Sequence, residues 1–88
     1  MVIARDVAQW MLDQLRRNRE LYQETAAFDI QQRFGEDFVY VNENGNLAIA
    51  QNVLAEFRKL TMGTVTWSRS ERYWRFREKY DEPGRRQD

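Results

Sequence analysis

The chain contains no cysteine and no histidine. No disulfide framework can support it, and a reducing, cytoplasmic setting suits that composition. Thiolate and imidazole zinc sites are excluded, as are Ser-His-Asp and Cys-His catalytic arrangements. Proline occurs once and glycine 4 times. Gly45 and Gly63 stand outside any glycine-rich run that could cradle a phosphate. Long apolar runs are missing too. The opening "MVIARDVAQWMLDQL" carries an acid at Asp6 and reads as neither a signal peptide nor a membrane span. Repeats and low-complexity tracts are absent. These gaps predict a soluble, cytoplasmic, non-enzymatic protein with no cofactor, no metal, no membrane contact and no evident small-molecule ligand.

What remains is enough for one domain. The 88 residues are 42% hydrophobic and 14% aromatic, which fits a globular chain with a real core. The net charge is zero but unevenly placed. Residues 1–62 carry 7 basic and 9 acidic side chains, and residues 63–88 carry 7 and 5. Nucleic-acid binders are usually more basic in bulk, so the overall balance argues against one.

Hydrophobic spacing predicts three helices. Ile3, Val7, Trp10, Met11 and Leu15 fall on one helical face, widened by Ala8 and Leu12. Asp13 and Arg17 can pair on its wet side. Leu21 and Tyr22 read as a short extended link. The period returns from Glu24, with Ala27, Ile30 and Phe34 as a stripe beside Ala26, and Gly35 stops it. The two alanines predict close packing against another helix.

The stretch "EDFVYVNENGNLAIAQNVLAEFRKLT" has two readings. "NG" between apolar runs is a hairpin signal that would pair "FVYV" with "LAI". Alternatively the extended piece ends at Val41, "NENG" turns, and Asn46 caps a helix over 47–60. Helical spacing of Ala50, Val53, Leu54, Phe57 and Leu60 favours the second reading, with Gly63 ending that helix.

"TVTWSRSERYWRFR" sorts as an antiparallel hairpin. A turn at Ser70 and Glu71 sets Trp67 opposite Trp74 and Val65 opposite Phe76, on an inner face. Thr66, Tyr73, Arg75 and Arg77 then face outward, and Arg69 and Arg72 stand at the tip. The turn lacks glycine and asparagine, so a loop longer than two residues fits it. The domain is read as 1–80, with a flexible or surface-hugging tail at 81–88 containing "PGRRQD".

The expected fold is α+β and mostly α: three helices, then a two-stranded hairpin. That order resembles the winged-helix arrangement, a helix-turn-helix variant with a β-hairpin wing. "RFGEDFVYVNENGNLAI", "EFRKLT" and "TVTWSRSERYWRFRE" with the later "YDEPGR" also look like a family of short uncharacterised bacterial domains. The winged-helix resemblance implies that the third helix enters a groove of duplex nucleic acid while the wing touches backbone. Its candidate contacts here are Gln51, Asn52, Arg58 and Lys59 on the third helix, and Arg69, Arg72, Tyr73, Arg75 and Arg77 on the wing. Gln and Asn can read adenine, and arginines can meet phosphates while Tyr73 stacks.

Bland readings stand beside these. Large aromatics on one ribbon face usually build core, and arginines keep a β edge soluble. "NENGN" does not make a calcium loop, because Tyr40 and Gln51 occupy positions that need carboxylates. Glu36, Asp37 and Glu43 read as solvated turn residues. A second function from another class is a protein–protein interaction domain, with self-association as a homodimer one form of it. Exposure of Trp10, Phe28 or Tyr80 would mark its interface.

Overall fold

The structure, a computed structural model, describes residues 1–77. Its elements are α1 (Ala4–Asn18), β1 (Glu20–Tyr22), α2 (Gln23–Phe34), a 3-10 turn (Glu36–Phe38), β2 (Val39–Val41), β3 (Leu47–Ile49), α3 (Gln51–Thr61), β4 (Val65–Ser68) and β5 (Tyr73–Phe76). The α+β character, the three helices and the C-terminal hairpin agree with the sequence reading. No helix among the described residues is long and apolar enough to cross a membrane.

Helix α1 follows its apolar spacing. Val7, Ala8, Met11, Leu12 and Leu15 are all buried. The Asp6 carboxylate accepts the Ile3 N–H at 2.9 Å and closes the first turn. Arg19, at a positive φ of 70°, ends the helix, and its N–H donates to the Leu15 carbonyl at 2.7 Å. Asp13 meets Arg16 at 3.9 Å, one position short of the Arg17 partner expected. Helix α1 packs along α3, and this pair forms the spine of the molecule.

Residues 20–22, expected as a link, form a strand. β1 runs antiparallel to β5, with Leu21 opposite Trp74. The resulting sheet has the order β1-β5-β4. The β4–β5 register is the one the alternation predicts: Val65 opposite Phe76, and Trp67 opposite Trp74. The turn is longer than two residues. It spans 69–72, closed by Arg72 N–H donating to the Ser68 carbonyl at 2.8 Å.

Helix α2 ends where expected, at Gly35 with φ 86°. Its buried alanines do not chiefly serve another helix. Helix α2 leans most heavily on β3.

The preferred reading of the middle segment is corrected. Residues 47–49 are a strand paired with β2, and the helix begins at Gln51 after Ala50, not after Asn46. Three local interactions decide this. The Asn42 side-chain oxygen accepts N–H groups from Asn44 and Asn46, at 2.9 and 3.0 Å. The Asn42 N–H reaches the Asn46 carbonyl at 2.9 Å, and Gly45 supplies a φ of 81°. Asn42 organises the loop, so Asn46 is used inside it and cannot cap a helix. The Ala50 N–H donates to the Phe38 carbonyl at 2.8 Å, and helix α3 starts only past that bond.

The core gathers Val7, Met11 and Leu15 from α1, Ile30 from α2, Ile49 from β3, and Val53 and Phe57 from α3. Trp74 covers it from the sheet, its ring edge-on to Phe57 at 5.1 Å and tilted against Trp67 at 4.8 Å. Trp74 is buried, whereas Trp67 is only half-buried.

Candidate nucleic-acid interface

Helix α3 turns one side into the core through Val53, Phe57 and Thr61. Gln51, Asn52, Ala55, Arg58 and Lys59 are left exposed along the other side. Two of them have partners already. The Gln51 amide donates to the Tyr40 hydroxyl at 3.5 Å, and the Lys59 ammonium meets Glu56 at 3.2 Å. The N-terminal half of this face is uncharged, so its chemistry is hydrogen bonding. Its cations stand in the last turn.

The ribbon arginines do not form one patch. Arg69 and Arg72 are exposed in the 69–72 turn. The Arg72 carbonyl accepts the Gln23 N–H at 3.0 Å, which seats the ribbon tip against the start of α2. Arg77 lies at the opposite end, where its N–H donates to the Thr64 carbonyl at 2.9 Å. Five residues of extended chain separate Arg72 from Arg77, about 16 Å. Arg75 lies between them, half-buried, opposite Glu20 on one side and Thr66 on the other.

The outer sheet face also carries acid and tyrosine from β1, and no hairpin considered alone could show this. Tyr22 stands opposite Tyr73 with the rings stacked at 4.9 Å and 17°. Tyr73 is therefore half-covered, with one face committed to Tyr22. Glu20 above all, then burial, Glu71 and Tyr73, push the Tyr22 phenol above its ordinary value of 10.0. The field around this tyrosine pair is negative. Thr66, expected on the outer face, is fully buried.

At the ribbon base a different group assembles. Arg16 and Arg17 occupy the last turn of α1, and Arg19 follows it. The Arg19 guanidinium lies 6.0 Å from the Phe76 ring centre. Phe76 pairs with Val65, which follows shortly after α3 ends, so the C-terminal ends of α1 and α3 meet at this edge of the sheet. Arg19 and Arg77 thus flank Phe76 at the ribbon base, while Arg16 and Arg17 stand in the last turn of α1 and Arg58 and Lys59 in that of α3. All but the half-buried Arg77 are exposed. The sequence reading missed Arg16, Arg17 and Arg19. The run "RRNR" was their signal, and only the β1–β5 pairing gives it a neighbour.

The cations at the helix ends have a structural cause. Cations near the C-terminal end of a helix complement its dipole, and both helices end here. That explains Arg16, Arg17, Arg58 and Lys59, but not Arg77, which belongs to the ribbon. Among the described residues no group of His, Cys, Asp or Glu is placed to hold a metal.

A family model described as "Family of unknown function (DUF6953)" matches residues 3–76, and the chain belongs to that family. No curated protein and no solved structure matches it.

Proposed function

We propose that this domain is a non-catalytic, winged-helix-like module that holds duplex nucleic acid with the wet face of α3 and the cationic ribbon base. The carrying observation is that Arg19 and Arg77 flank Phe76 at one end of the sheet, with further cations in the last turns of α1 and α3. Two further features support it. A strand following the first helix joins the hairpin in the order β1-β5-β4, so the ribbon is anchored to the helices as a wing should be. The start of α3 offers Gln51 and Asn52, whose side chains can pair with base edges.

Contact through phosphate dominates this reading. Arg16 and Lys59 have acidic neighbours, and Arg17, Arg19, Arg58 and Arg77 supply the remaining charge. Four phosphate contacts correspond to a log–log salt slope of about −3 to −4. Fluorescence anisotropy with a labelled random-sequence duplex at low salt tests this. Binding in the micromolar range that weakens steeply with salt is expected. Absence of binding, or binding indifferent to salt, contradicts the reading.

The second reading, a protein-interaction domain, gains one specific observation. Phe28 is 57% exposed on α2. Trp10 is not available in the same way. It is half-buried, edge-on to Phe34 at 6.0 Å, with the Arg33 guanidinium 5.4 Å from its ring centre. Tyr80 and the 81–88 tail lie outside the described residues.

A further inference from the structure

The ribbon tip, far from the proposed nucleic-acid end, closes one side of a groove. Two adjoining cavities, of about 260 and 380 Å³, run between the first turns of α2 and the β2–β3 hairpin. They share Glu24, Thr25, Asn46 and Leu47. One end is apolar, walled by Phe28 and Leu47. Val41, opposite Leu47 in the hairpin, is 67% exposed. The other end reaches Tyr22, Glu71 and Arg72.

The charge in this groove has one prevailing sign. Glu24 and Glu71 line it, and neither is in an ion pair among the described residues. Arg72 is the single cation of the lining among the described residues. Tyr22 has one ring face on Tyr73 and remains 40% exposed, so aromatic surface is open beside the carboxylates. A cation over a tyrosine ring, next to a carboxylate, is held by both. Glu71, after Glu20 and burial, is among the causes that raise the Tyr22 phenol, so its carboxylate stands near that ring. An exposed phenylalanine and a partly exposed leucine at the far end favour a bulky apolar group.

We propose that this groove binds an extended segment of a partner protein in which arginine or lysine stands beside a bulky apolar side chain. The cationic group sits between Glu24 and Glu71 against Tyr22, and the apolar group enters between Phe28 and Leu47. The site is separate from the cationic ribbon base and does not depend on the nucleic-acid reading. A module with both surfaces would bring a protein partner to nucleic acid.

The test is a titration of the isotope-labelled full chain with an arginine–leucine hexapeptide, followed by amide NMR shifts. A glutamate–leucine hexapeptide is the control. Saturable shifts are expected at residues 22–28, 42–48 and 71–72 with the basic peptide, and none with the acidic one. The double variant Glu24→Lys, Glu71→Lys should weaken binding about tenfold or more. Phe28→Ala, at an exposed position, should weaken it while leaving the circular dichroism spectrum unchanged. Three results would overturn the proposal: no shifts up to about 1 mM peptide, equal response to the acidic peptide, or shifts confined to α3 and the ribbon base. Groove shifts that grow with protein concentration alone would assign the surface to a second copy of the chain, and would overturn it as well.

Discussion

The two ends of the β4–β5 ribbon carry similar side chains and differ in their surroundings. At the base, Arg77 stands with Arg19 beside Phe76, near the end of α1. At the tip, Arg69 and Arg72 share their neighbourhood with Glu71 and the start of α2, where Glu24 stands. Read along the chain, the tip looks the more basic, with "RSER" at its centre. In the fold, Arg19 and Arg77 meet at the base on either side of Phe76, while the tip arginines stand beside Glu71. The electrostatic character of a segment is set by the segments folded against it, because charges interact over about 8–10 Å regardless of their place in the chain.

The largest effect is expected where both ends depend on one side chain. Trp74 is buried at the middle of the three-stranded sheet, between Leu21 and Trp67 and edge-on to Phe57. Trp74→Ala should cost about 3–5 kcal/mol, visible as a loss of midpoint in urea unfolding, and should weaken both ends together. Trp67→Ala should cost less, because that ring is half-buried. Equal losses would mean that the ring covering the core has been misassigned.

Asn42→Ala separates the ends. The side chain holds the β2–β3 loop through two N–H acceptances, so its loss should destabilise by about 1–2 kcal/mol and disturb the groove. The salt-dependent duplex binding through the ribbon base should not change. Gly45→Ala acts on the same loop through its φ of 81°, at about 1 kcal/mol. Thermal unfolding with parallel duplex titrations checks both. A shallower salt slope in either variant would show that the ends are coupled.

The smallest effect belongs to the tip. Arg69→Ala with Arg72→Ala removes exposed charges that make no ion pair among the described residues. Stability should shift by no more than about 0.5 kcal/mol. A larger shift would give those arginines a structural role.

Much of the fold was legible because its signals are local. The periodicity of α1, the glycine that ends α2 and the alternation that pairs Trp67 with Trp74 each need only a few adjacent residues. The failures come from elements whose identity is set elsewhere. Leu47, Ala48 and Ile49 satisfy a strand and a helix equally, and three residues are too few for a period to choose. Asn42, on the far side of the loop, decides for the strand. β1 is just as short, and its partner lies some fifty residues later, so Leu21 and Tyr22 showed only extended preference. The candidate site inherits the same limit. The wet face of α3 follows from spacing alone, whereas Arg19 joins Phe76 only once β1 is in the sheet.

The contrast between the ends is tested most directly by measuring duplex affinity against salt for two variants beside the parent chain. One replaces Arg19, Arg58 and Arg77 with Ala at the base, and the other replaces Arg69 and Arg72 at the tip. The base variant should lose most of its affinity at low salt, with its log–log slope shallower by about 2.7. The tip variant should keep the parent slope. A tip variant that loses the slope, while the base variant keeps it, would contradict the account.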